Sequence, residues 1–201
     1  MRLVLASNNA KKLAELQTLF APLGLELVTQ GALGIAEAEE PHLTFVENAL
    51  EKARHAASHA KAAAIADDSG LCVDALNGAP GVLSARYATL FGEPKSDADN
   101  NRVLLHNMRD IDDRRARFVS ALVAVRSADD PEPLIALGRW PGTILREPQG
   151  DGGFGYDPLM FIPSLGLTVA QLSPKVKNTY SHRAIASQQM LALLREAWHL
   201  V

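Results

Sequence analysis

The chain opens on a short apolar run, residues 3–6, followed by the polar turn Ser7-Asn8-Asn9. That pattern predicts a buried strand leading into a helix. Leu13, Leu16, Leu19 and Phe20 then share one helical face, and Pro22 and Gly24 end the helix. Thr44 with Glu47 makes a capping box, and Phe45, Ala49, Ala53, Ala56 and Ala60 line the apolar face of a long Ala-rich helix. A second short apolar run, residues 62–66, predicts a strand cut off by Asp67-Asp68-Ser69-Gly70. Another helix is predicted over residues 97–108. Residues 117–125 alternate and are β-branched enough for a long strand, with Asp129-Asp130-Pro131-Glu132-Pro133 as its turn and 134–140 as the returning strand. Further strands fit residues 143–145 and 159–162, and the chain closes on a helix carrying Ile185, Met190, Leu191, Leu194 and Trp198. Strands and helices alternate early, while hairpin-like strands fill the middle. The expected fold class is therefore α/β with a mixed central sheet rather than a purely parallel one.

Composition narrows the class. At 201 residues the chain fits one domain, residues 1–201, or one domain with two lobes. A content of 47% hydrophobic and 21% charged residues is that of an ordinary globular protein and excludes disorder. No apolar run approaches the roughly 18 residues of a membrane span, and the N-terminal run is too short for a signal peptide. The single cysteine, Cys72, lies in an apolar stretch and reads as a small core residue; the absence of a disulfide suits a reducing, cytoplasmic setting. With 20 Lys and Arg against 23 Asp and Glu, the net charge of −3 excludes the basic footprint of a duplex-binding protein. A polyanionic ligand then requires local positive charge.

Three segments set charge against local preference. Asn9 is a good N-cap, which places Lys11 and Lys12 in a first helical turn, where the helix dipole disfavours cations. An anion bound there, helped by free N–H groups, would explain them; two solvated lysines is the alternative. A Walker loop is excluded because its glycines and Gly-Lys-Ser/Thr ending are absent. Asp67-Asp68 at a strand end repel each other unless a cation sits there, and Mg²⁺ favours one or two carboxylates plus phosphate oxygens. Glu37, Glu39 and Glu40 could add a ligand, although Asp-Asp-Ser-Gly is also an ordinary turn. Ser181 is a plausible N-cap that puts His182 and Arg183 in the first turn of the last helix, with Lys177 nearby. Ahead of it, residues 150–157 concentrate glycines around Phe154 and Tyr156. Such a loop can bring backbone and an aromatic face to a planar ring, or simply be a bulged hairpin with Phe154 in the core. His55 and His59, at i and i+4, lack a third ligand and read as a solvated helix face.

Together these segments resemble the inosine triphosphate pyrophosphatase family, also described as XTP/dITP diphosphatases. Ser7, Asn9 and Lys12 match the family's Ser/Thr-x-Asn-x-x-Lys motif. The run 44–49 with Lys52-Ala53 resembles the helix that carries a phosphate-side lysine. Residues 66–71 continue through Gly78-Ala79-Pro80-Gly81 to Ser84-Ala85-Arg86-Tyr87. The last block joins 153–158 with Lys177 and Ser181-His182-Arg183, so the match runs from about residue 3 to residue 195. The resemblance implies an elongated mixed sheet flanked by helices, with two lobes around a nucleotide cleft, in a homodimer. It implies Asp68 as general base and metal-associated carboxylate, and Glu40 as its acidic metal partner for Mg²⁺. Ser7, Asn9, Lys12, Lys52 and Ser69 would hold the triphosphate. Phe154 would stack on the base, with Gly155 and Tyr156 in the same loop, while Asp157, Lys177, His182 and Arg183 would recognise the purine. The implied activity is hydrolysis of ITP, dITP and XTP to the monophosphate and pyrophosphate. Two positions depart from the family pattern: Asn8 and Thr89 stand where glycine is common. A pyrophosphatase with pyrimidine specificity is the nearest rival, and a non-hydrolysing nucleotide sensor the rival of another class.

Overall fold

The computed structural model describes residues 2–199. Strand β1 (Arg2–Leu5) leads through the Ser7–Asn9 turn into α1 (Ala10–Phe20), and β2 (Glu26–Thr29) follows. Helix α2 (Phe45–Ala60) precedes the long strand β3 (Ala64–Val73), and a 3-10 segment (Gly81–Phe91) leads to α3 (Asp97–Asn107). Strands β4 (Arg115–Val125) and β5 (Leu134–Ile144) form a hairpin, followed by the short β6 (Met160–Ile162) and β7 (Leu167–Thr168). The chain ends on α4 (Pro174–Tyr180) and α5 (His182–Trp198). The strand order is β2-β1-β3-β4-β5-β6-β7. Pairing is parallel for β1 with β2 and with β3, and antiparallel for β5 with β6 and β6 with β7. The fold is therefore α/β with a mixed sheet, as the periodicities predict.

The chain divides into two compact units. The first comprises Met1–Asp68, Ser120–Gly138 and Ser181–Val201, and the second Ser69–Val119 and Arg139–Tyr180. In the first unit both faces of the sheet are covered, which is why its strands read as unbroken apolar runs. Leu3, Leu5, Ile65, Leu122 and Ala124 pack with Leu16 and Phe20 of α1 and Ala186, Met190 and Leu194 of α5. The alternate residues Val4, Ala64, Ala66, Ala121 and Val123 pack against Ala49, Ala53, Ala56 and Ala57 of α2. Alanine on α2 lets that helix lie close to the strands. Gly138 does the same for α5: a Cβ there would sit 1.8 Å from the carbonyl oxygen of His182. The second unit has its own core, with Leu71, Val73, Tyr87, Leu104, Met108, Phe118, Trp140, Leu159 and Met160 at its centre.

Two expectations are corrected. β3 does not stop at residue 66; it runs on through Asp67-Asp68-Ser69-Gly70 to Val73. Likewise β5 continues through Pro141-Gly142 to Ile144 as one strand, where the sequence suggested two. Cys72 is buried within β3, as a core residue should be.

Candidate active site

The extension of β3 decides the geometry of the acidic pair. Successive strand residues face opposite sides of a sheet, so Asp67 and Asp68 are held by different side chains. Asp67 lies on the side of α1 and α5. It accepts from Ser120 Oγ at 2.7 Å, from Lys12 Nζ at 2.8 Å and from Arg183 Nε at 3.3 Å. Burial alone would raise its pKa, but Lys12 and Arg183, with the hydroxyl of Ser120, hold it far below the usual carboxylate range. Arg183 is itself buried and its Nη1 donates to Glu15 Oε2 at 2.8 Å. The charges offset one another where neither could stand alone.

Asp68 lies on the side of α2. Lys52 reaches it at 3.3 Å and reaches Glu40 Oε1 at 2.6 Å, so one ammonium bridges the two carboxylates. Burial raises the Asp68 pKa, and Glu40 and Asp67 add to that, against the pull of Lys52 and Lys12. Lys52 is pushed down by burial and up by Asp68 and Glu40, with a net rise that keeps it protonated. Asp68 Oδ2 is buried and has no hydrogen-bond partner among the described residues. A buried carboxylate oxygen with an open lone pair, next to a second carboxylate, is what a hard divalent cation ligates. Among the described residues no group of three His, Cys, Asp or Glu side chains gathers to hold a metal alone. To hold such an ion, Glu40 and Asp68 would need further oxygens from substrate and water.

The turn before α1 is already organised. Asn9 Oδ1 accepts from the N–H groups of Lys11 and Lys12 at 3.0 and 3.1 Å, and Ser7 Oγ accepts from Asn9 N at 3.1 Å. Those helix-start N–H groups, which the sequence offered to an anion, are thus capped by Asn9. Asn8, in place of a common glycine, donates to Glu37 Oε1 at 3.2 Å and ties this turn to the acidic segment before α2. Thr89, the other departure, is accommodated by donating to the carbonyl of Arg86 at 2.7 Å. Ser181 caps α5 through Ala184 N at 3.2 Å, as expected, and the neighbouring His182 and Arg183 are buried.

In the second unit, the loop at 153–157 is shaped by Asp157. Its Oδ2 accepts from Phe154 N at 3.0 Å and from Lys177 Nζ at 2.9 Å. Gly153 has a left-handed φ of 73°, and a Cβ on it would fall 2.0 Å from that same oxygen, so any other residue there is strained. The Lys177 ammonium stands 4.7 Å from the centroid of the half-buried Phe154 ring, within cation–π range. Tyr156 is buried and its hydroxyl donates to the carbonyl of Ser84 at 2.8 Å, so it anchors the loop within the second unit's core. Gly155 donates to Asp97 and accepts from Asn101. Ser69 is the first residue of this unit, on β3.

Sequence reasoning missed several partners. Ser120 had a signal, a hydroxyl in the middle of an apolar strand; Glu15 had another, three residues beyond Lys12 on α1. Asp97 and Asn101 had none, because nothing local says what a helix start will touch fifty residues on.

Residues 3–193 match the model of the Ham1 family. The chain is 64% identical to the dITP/XTP pyrophosphatase of Leptothrix cholodnii, with all of both chains covered. It is 65% identical to the dITP/XTP pyrophosphatase of Methylibium petroleiphilum over 98% of this chain and 99% of that one. The solved structure of a HAM1 protein from Coxiella burnetii superposes with a TM-score of 0.90 at 44% identity, covering 98% of this chain and 99% of that one. A buried, charge-balanced aspartate pair on a mixed sheet, a capped lysine turn and a glycine-rich aromatic loop thus sit in a chain that matches over nearly its whole length, and the chain belongs to the Ham1 family.

Proposed function

We propose that this protein hydrolyses the non-standard purine nucleoside triphosphates ITP, dITP and XTP to the nucleoside monophosphate and pyrophosphate. The observation that carries the reading is the Glu40–Lys52–Asp68 constellation, in which a buried carboxylate of raised pKa keeps one oxygen open beside a second acid. Asp68, with its open oxygen, would take the proton of a water attacking the α-phosphorus. Lys12 and Lys52 would neutralise phosphate oxygens, with Ser7, Asn9 and Ser69 as the further residues proposed to hold the triphosphate. Mg²⁺, held by Glu40 and Asp68, would supply further charge neutralisation on those oxygens.

At the base end, Phe154 offers a ring for stacking and Lys177 a donor held by Asp157. His182 and Arg183 of the first unit are proposed to recognise the purine as well. Donors facing a 6-keto oxygen are left unpaired opposite the 6-amino group of ATP, which is a strong means of rejection. The homodimer and the cytoplasmic location belong to the same proposal.

A panel of nucleoside triphosphates with Mg²⁺, scored for pyrophosphate against orthophosphate, tests it. ITP, dITP and XTP should exceed ATP and GTP at least about tenfold in kcat/KM, or ~1.4 kcal/mol of discrimination. Turnover should vanish in chelator and return with Mg²⁺. Equal turnover of ATP and ITP would sink the purine selectivity; release of orthophosphate alone would sink the reaction.

A further inference from the structure

The peptide of Gly155 is held from both ends by one helix. Its N–H donates to Asp97 Oδ2 and its carbonyl accepts from Asn101 Nδ2, both at 2.8 Å. Asp97 and Asn101 stand four residues apart on α3, one turn along the same face. The acceptor thus meets the peptide N–H and the donor meets its C=O. Asn101 Oδ1 is buried and without a hydrogen-bond partner among the described residues, so the carboxamide sits there for its donor alone. The helix that offers the pair is itself fixed. Asn100 accepts from Ala88 N at 2.8 Å and donates to Ala85 O at 3.3 Å, while Val103 and Leu104 enter the second unit's core.

What this grip controls is the residue before it. Phe154 N is held by Asp157, and Phe154 O accepts from Asp157 N at 3.2 Å. Gly155, with a left-handed φ of 62°, is the next link, and Tyr156 after it is anchored through its hydroxyl. Fixing the Gly155 peptide removes the remaining freedom of the backbone that carries the Phe154 ring. We infer that Asp97 and Asn101 are positioning residues for base recognition, holding the Gly155 peptide so that the Phe154 ring is preset to stack on a planar 6-keto purine. This rests on the proposal that Phe154 stacks on the base. A stacking ring that is already oriented loses less freedom on binding, so the effect falls on affinity for the base and not on the phosphate chemistry.

The test compares ITP with ribose 5′-triphosphate, which carries the same phosphates and no base. Asn101→Asp turns the donor into an acceptor, Asp97→Ala removes the other contact, and Asp97→Asn keeps an acceptor. Asp99→Asn is the control: it takes the same charge from the first turn of α3, where Asp99 binds Ser96 and Arg102 and touches nothing in the loop. Asn101→Asp and Asp97→Ala should lower kcat/KM for ITP about tenfold, mainly through KM, and change ribose 5′-triphosphate by less than about twofold. Asp97→Asn should recover most of the loss, and Asp99→Asn should resemble the parent on both substrates. If the two clamp variants lower both substrates alike, or leave the preference for ITP intact, the inference is overturned and the contacts are merely structural. Should the parent protein itself fail to prefer ITP over ribose 5′-triphosphate, the stacking reading falls first and takes this one with it.

Discussion

Asp67 meets Lys12, Arg183 and Ser120 on one side of β3, whereas Asp68 meets Lys52 on the other, and the two carboxylates answer protons in opposite ways. Asp67 has a folded pKa depressed below its unfolded value of about 3.9, so it stabilises the protein at neutral pH. That contribution is lost as pH falls from about 4 through the folded value. Asp68 has a raised pKa, so its ionised form costs stability above the unfolded value. Asp67→Asn should lower the unfolding free energy in urea at pH 7 by about 3–5 kcal/mol, because two cations lose their counter-charge. The deficit should narrow below about pH 4, where the parent protein loses the same support. Asp68→Asn should leave stability unchanged or slightly higher while lowering kcat on ITP by roughly two to four orders of magnitude. Equal destabilisation by both substitutions would contradict this division of roles.

Among the elements, the helices are legible because their signals are local. Asn9, Thr44 and Ser181 each accept from an N–H within three residues, and the apolar stripes of α1, α2 and α5 are periodic in sequence. β3 is less legible. Two aspartates read as a turn until their partners from residues 12, 52, 120 and 183 are known, and those partners come from other parts of the chain. The short α4 and the 3-10 segment over Gly81–Phe91 carry no strong period and go unpredicted for that reason. The site follows the same rule: Asp68, Glu40, Lys12 and Lys52 can be named from motifs, but that one lysine bridges two acids cannot. Caps can be tested at this scale. Ser181→Ala removes the side-chain bond to Ala184 N and should cost about 1 kcal/mol in urea unfolding. Ser181→Asn, which restores an acceptor, should recover most of it. No change with alanine would mean that the buried start of α5 is held by packing alone.

At the scale of the molecule, the chain crosses between its two units after residues 68, 119, 138 and 180. The last crossing delivers α5, whose Ala186, Met190 and Leu194 pack with Leu3 and Leu5 of the first strand made. During synthesis, β1 therefore emerges from the ribosome long before the helix that covers one of its faces. A chain ending at Tyr180 should be digested by protease across residues 2–68 under conditions where the full chain resists, and resistance in that truncated chain would refute the point. The first unit is assembled from three separate stretches of chain, so it cannot be completed before the last of them is made. Its earliest apolar residues therefore keep one face uncovered until translation is nearly over, the interval in which a chaperone would help the nascent chain most.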